Sequence, residues 1–165
     1  MLEVVASFFS SFPHWLGTFL MAMTPVGELR LALPVAILFY KMPVWSALFW
    51  SITGNMIPVT IILLFVERFH RWVEKKSGFL SSSWLKYLEQ AQQKFDSKKY
   101  EKYGLVALAL FVGVPLPMTG AWTGAVIAFL LALPFKKAWV AIFAGVILSA
   151  VITLLVSLGA NGIFN

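Results

Sequence analysis

The chain has no cysteine among its 165 residues, which excludes disulfides, thiol catalysis and cysteine-based metal sites together. Charge is almost as scarce: 12% of residues are charged, 60% are hydrophobic, and the mean hydropathy is +0.85. Soluble domains run at roughly 25% charged and 45–50% apolar. One soluble core could not hide this much apolar surface, so a single small integral-membrane domain is expected, with each spanning helix taking about 20 residues. Histidine is down to two residues, His14 and His70, both toward segment edges, and no nucleophile, base and orienting group recur together. Catalysis is therefore not expected, and neither is a cofactor or a bound metal. The N-terminus, Met1-Leu-Glu-Val-Val, has an acid where a secretory signal carries basic residues and shows no clear small-residue cleavage site. It is expected to stay on the mature protein.

The charges that are present fall unevenly. Nine of the thirteen basic residues lie between Arg68 and Lys102. By the positive-inside rule this stretch is a cytoplasmic loop, and the chain a multi-pass protein of the cell inner (plasma) membrane. The net charge of +6 and pI near 9.7 then point to anionic lipid headgroups rather than nucleic acid. Within the loop Trp84, Leu88, Ala91 and Phe95 recur at helical spacing with Lys and Gln between, the pattern of an amphipathic helix lying along the membrane surface.

Hydrophobic sequence forms two blocks that resemble each other. A shift of 91 positions places Pro43 on Pro134, Ala47 on Ala138, Gly54 on Gly145, and the run from Thr60 beside that from Val151. In each block a broken apolar segment with Pro, Thr and Gly in its middle is followed by Pro and one long apolar run. Weak internal similarity of this kind marks repeat-built transporters, with the interruptions pointing to the site. The expected organisation is a first repeat over 13–67, a basic cytoplasmic linker over 68–102 and a second repeat over 103–160.

Length separates spanning from re-entrant segments. Pro43 to Glu67 and Ala138 to Gly159 are long enough, at about 1.5 Å per residue, to cross a core of ~30 Å. Tyr103 to Val114 and Ala121 to Leu133 would each reach only about 18–20 Å, with Pro115, Pro117 and Gly120 between them. A helical hairpin entering and leaving on one side fits these lengths. The first block allows the same construction, with arms around His14 to Met23 and Val26 to Tyr40 and a tip at Thr24-Pro25. With the loop cytoplasmic, the first hairpin opens outside, where Lys41 is the basic residue, and the second returns to Lys136-Lys137 inside. The predicted fold is all-α and integral to the membrane: two inverted-topology repeats, each a re-entrant hairpin plus a transmembrane helix.

Inside this apolar sequence Glu28 and Arg30 stand two residues apart. Ionised side chains at bilayer depth cost about 2.5–3.5 kcal/mol each even on lenient scales, so they persist mainly where something is bound or moved. On a helix the two point in different directions, so each needs its own partner. Arginine offers two-pronged recognition of phosphate or carboxylate, and a carboxylate in low dielectric can exchange a proton near neutral pH. Arg30 is thus a candidate anion anchor and Glu28 a candidate proton-coupling group; a charge network that only holds the hairpins together is the alternative. Pro34 and Pro58 each remove a helical hydrogen bond, freeing the carbonyls of Arg30 and Gly54, the latter beside Asn55. Thr24 and Thr119 are placed to cap the inner arms, leaving amide groups aimed at the centre as an anion site. Trp122 and Thr123, next to the second tip, complete the candidate lining. Small residues at four-residue spacing (Gly120, Gly124, Ala128; Ala141, Gly145, Ser149, Thr153) form packing seams that would also permit a homodimer.

Two stretches resemble motifs of a known family. Pro25-Val-Gly-Glu28-Leu-Arg30-Leu-Ala-Leu-Pro34 and Val114-Pro115-Leu-Pro117-Met-Thr-Gly120-Ala-Trp122-Thr123-Gly124-Ala are similar to those of the small multidrug export proteins of bacteria and archaea, a family that looks like a distant relative of the DedA/VTT membrane proteins. Met118 stands where that motif is expected to carry glycine. The resemblance implies two facing re-entrant hairpins with transmembrane helices. DedA relatives are associated with moving phospholipids or polyprenyl-phosphate carriers, some with proton coupling through embedded acids and arginines; carried onto this chain those roles fall on Glu28 and Arg30. The leading expectation is a flippase of anionic lipid or lipid-phosphate carriers. The alternatives are a proton-coupled exporter of small lipophilic cations or drugs, and a non-transporting membrane scaffold.

Overall fold

Most helix ends in the apolar sequence fall beside a proline or a glycine. The computed structural model describes residues 11–74, 98–115, 119–131 and 133–163, together with Ser7 and Phe9. The elements are α1 (His14–Met23), α2 (Glu28–Pro34) continuing into a π-helical turn (Val35–Phe39), α3 (Val44–Glu74), α4 (Lys98–Gly113), α5 (Ala121–Leu130) and α6 (Phe135–Ile163).

The first break follows from Pro25. A residue before proline is pushed out of the helical region, and Thr24 sits at φ −77, ψ 143. Its hydroxyl donates to the Met21 carbonyl (2.8 Å) and accepts from the Gly27 N–H (3.0 Å), so one side chain closes the end of α1 and the turn that opens α2. Pro34 lies inside α2 and cannot donate. Beyond it the bonding widens: Tyr40 N–H reaches the Val35 carbonyl at 3.1 Å and Met42 N–H the Ala36 carbonyl at 2.9 Å. Lys41, at φ 51, then turns the chain into Pro43 and α3.

Pro58 does not end α3. The helix runs 31 residues, and its apolar part Val44–Phe65 covers about 33 Å. α6 has a comparable apolar stretch, Phe135–Gly159. Both are long and apolar enough to cross a bilayer. α3 continues past the expected boundary at Glu67 to Glu74, and α4 already begins at Lys98, so the ends of the expected 68–102 linker are helical. The amphipathic pattern at Trp84, Leu88, Ala91 and Phe95 lies outside the described residues.

The first arm of each pair packs on a long helix at a glycine of that helix. A Cβ on Gly54 would collide with the Phe19 carbonyl of α1, and one on Gly145 would lie 2.6 Å from the Ala109 carbonyl of α4. These are the two glycines related by the 91-residue shift, and Ala47 and Ala138, related in the same way, are both fully buried. The rings of Trp15 and Trp50 (4.8 Å) and of Phe19 and Trp50 (6.1 Å) extend the α1–α3 contact. α1 therefore reaches about the middle of the apolar part of α3. Gly113, at the end of α4, lies against Leu148, near the middle of α6.

The later part of the apolar stretch of α3 meets early α6: the Trp139 indole donates to Thr60 Oγ1 at 3.0 Å, and Phe143 stacks on Trp139 at 5.2 Å. One core runs through both halves, from Leu29 and Leu33 through Val59 to Leu108, Val112, Ile142 and Val146. Outward from it Trp45, Phe49, Phe65, Leu155 and Val156 are exposed. Isolated exposed apolar residues are ordinary, but a surface made of them along two 20-residue stretches needs lipid as its solvent.

Candidate functional site

A broken helix pair presents opposite electrostatic ends at one place. α4 stops at Gly113 with its last carbonyls unsatisfied, and α5 starts at Ala121 with its first amides unsatisfied. The first end carries partial negative charge and the second partial positive charge.

The opening turn of α2 supplies both countercharges. Glu28 is 8% exposed, and its Oε1 accepts from the Trp122 N–H at 3.3 Å, with the Ala121 N–H as a second backbone partner. The carboxylate thus caps α5 from another part of the chain. Arg30 turns to the other end. Its Nη2 lies 3.2 Å from the Val112 and Val114 carbonyls, 3.3 Å from Thr119 Oγ1, and in hydrogen-bond contact with the Thr119 carbonyl. Acid to the helix start and guanidinium to the helix finish is the favourable pairing, worth about 0.3–1 kcal/mol per end at a surface and more when partly buried. The two side chains also attract each other electrostatically.

Two backbone details hold the carboxylate in place. Glu28 has φ 45, the left-handed region that residues with a side chain enter at a cost of about 1–3 kcal/mol. Gly120 lies directly under it: a Cβ there would collide with both carboxylate oxygens. Gly120 itself is extended (φ −126, ψ −178), a conformation open to any residue, so glycine is needed for room rather than for torsional freedom.

Among the expected site residues, Glu28, Arg30, Thr119, Gly120 and the backbone of Trp122 come together at this junction. Two expectations change. Thr119 does not cap α5, whose N-cap is Gly120 without a side-chain cap bond; the Thr119 hydroxyl donates to the Val114 carbonyl (2.8 Å) and ties the loop to Arg30. The amides expected to form an open anion site are met by Glu28. Thr24 is engaged within its own turn. Thr123 is half-buried one residue past the Glu28 contact, and Pro115 is exposed in the α4–α5 loop. Asn55 is 3% exposed near the middle of α3 with Oδ1 unpartnered, and the Trp122 indole N–H is likewise buried without a partner. Pro117 and Met118 lie outside the described residues.

The sequence reading did not name the main-chain partners at Val112, Val114 and Ala121, or the buried hydroxyl of Ser51, and it placed Ser149 only in a packing seam; both hydroxyls are without partners. The backbone groups had a signal: each break in an apolar run creates helix ends that need charge. Among the described residues no cluster of three or more His, Cys, Asp or Glu could hold a metal.

This geometry covers the stretch over which the chain matches a known family. The model described as "Putative small multi-drug export protein" matches residues 28–152, beginning at the capping glutamate and extending past the middle of α6. The chain belongs to the small multidrug export family. No curated protein and no solved structure matches it. Family membership and the two long apolar helices make it a membrane protein of an export family.

Proposed function

We propose that this chain exports small lipophilic molecules, with Glu28 as an exchangeable carboxylate and the α1–α2 and α4–α5 pairs as re-entrant hairpins whose tips meet inside the bilayer. The observation that carries the reading is the Glu28 carboxylate seated on the start of α5 while Arg30 holds the end of α4. A helix cap made by a charge is a latch: protonation removes the negative charge, weakens the hold on α5, and frees that tip to move.

The same geometry supports an exporter over a translocase of lipid phosphates. Both elements suited to a phosphate, a guanidinium and a helix start, are directed at partners inside the protein. Arg30 among carbonyls also repels a cationic cargo less than a bare guanidinium would. The family match supports the same choice.

Several contacts support the inverted arrangement. Gly54 and Gly145 play equivalent parts in the two halves, and the later part of the apolar stretch of α3 meets early α6, as expected of two spans crossing one bilayer in opposite directions. With the basic 68–102 stretch cytoplasmic, the first hairpin opens outside and the second inside. Irregular backbone at that depth is tolerated where protein buries it or where it lines a wet cavity; Gly27 and Gly120 are buried, while Pro25, Val26, Val114 and Pro115 are exposed.

Glu28→Gln keeps the shape and one acceptor oxygen while removing the charge. In liposomes carrying the purified protein and a fluorescent lipophilic cation, with an imposed proton gradient, the native chain should move the cation and the variant should lose gradient-driven movement. Full activity in folded Glu28→Gln protein would defeat the coupling role. Movement of labelled lipid phosphates without cation transport would favour the translocase, and neither activity would favour a scaffold.

A further inference from the structure

A second feature of the molecule is away from the junction. α4 and α6 lie side by side, and where their facing residues are small the contact opens into a groove of about 490 Å³ lined by Val106 and Ala109 of α4 and Val140 and Ala144 of α6. Lys136 and Lys137, both exposed, border the same groove at the start of α6. From Lys136 to Ala144 the helix rises about 12 Å, close to half of a ~30 Å hydrocarbon core.

We infer that this groove is a binding site for an anionic phospholipid of the surrounding bilayer, one acyl chain lying between α4 and α6 and the headgroup phosphate held by Lys136 and Lys137. The occupant follows from the distribution of chemistry along the groove. Its walls are aliphatic over one leaflet's depth, and its two cations, Lys136 and Lys137, lie together at one end, where they would serve no purpose for a neutral amphiphile. A lysine near the surface favours anionic lipid by about 1 kcal/mol, or roughly fivefold. Two lysines give a preference of roughly 10- to 30-fold. Small side chains at Ala109 and Ala144 leave the room the chain occupies. The site is distinct from the Glu28–Arg30 junction and does not depend on the exporter reading; it requires only that the protein lie in a bilayer.

The test uses the full chain in nanodiscs of equal phosphatidylglycerol and phosphatidylcholine, with lipids that remain bound counted by native mass spectrometry. The native protein should retain phosphatidylglycerol in excess, and Lys136→Gln/Lys137→Gln should reduce that excess about tenfold, while the Arg/Arg pair preserves it. Ala144→Phe fills the groove and should remove one bound lipid of either kind. Because Lys136, Lys137 and Ala144 are all exposed, these variants are expected to fold, which circular dichroism checks. An unchanged phosphatidylglycerol excess in the Gln/Gln variant overturns the proposal, as does an unchanged lipid count in Ala144→Phe. A lipid-free dimer joined through this face would overturn it as well.

Discussion

Gly120→Ala is the smallest change that tests the junction. The added methyl would collide with both Glu28 oxygens, and the carboxylate must leave the start of α5. Hydrogen bonds to a charged group contribute about 1.5–3 kcal/mol, and the charge–dipole attraction about 0.3–1 kcal/mol more. Against this, alanine restricts the unfolded chain and returns about 0.4–1 kcal/mol where the native torsions suit it, as the extended backbone of Gly120 does. The net expectation is a loss of about 1–3 kcal/mol. Reversible unfolding in mixed micelles, monitored by circular dichroism, measures it. A double-mutant cycle assigns it: on a Glu28→Ala background the carboxylate is gone, and Gly120→Ala should be neutral or slightly stabilising. If Gly120→Ala costs as much with Glu28 absent as with it present, the clash is not with the carboxylate and the capping argument fails.

Arg30→Lys keeps the charge but has a shorter side chain than the one whose Nη2 reaches carbonyls on both sides of the α4–α5 break, so unfolding should become about 1–2 kcal/mol easier in the same assay; unchanged stability would mean that a point charge suffices there. Orientation can be read directly because the native chain has no cysteine. Cysteine placed at exposed Lys41 should react with an impermeant maleimide added outside intact cells, and cysteine at exposed Lys136 only after the inner face is opened. Labelling of both from one side would exclude the inverted arrangement.

The membrane environment, the two long helices and the identity of the two unusual charges are all consequences of local composition, and local composition can be read along a chain. An apolar run of 22 residues must find lipid wherever the rest of the molecule goes, and an acid and an arginine placed in such sequence must find partners. Proline at 25 and 34 has effects confined to its own turn, so the end of α1 and the widened bonding after α2 are equally local. Even the equivalence of Gly54 and Gly145 is visible, because a shared packing task leaves the same small residue at the same offset.

What those charges hold required the tertiary structure. Arg30 meets Val112, Val114 and Thr119 across more than 80 positions of sequence, and its partners there are mostly carbonyls, which every residue has and no side-chain pattern reveals. The same is true of Glu28 and the amides of Ala121 and Trp122. A helix end has charge only by virtue of where the helix stops, and its neighbour is set by how the two halves dock. The sequence therefore determined that a charged pair lies within the membrane domain. Only the packing of α2 onto the α4–α5 break decided that the pair faces inward onto helix ends, where each charge is offset by backbone dipoles and neither the guanidinium nor the α5 amides are left as an open anion site.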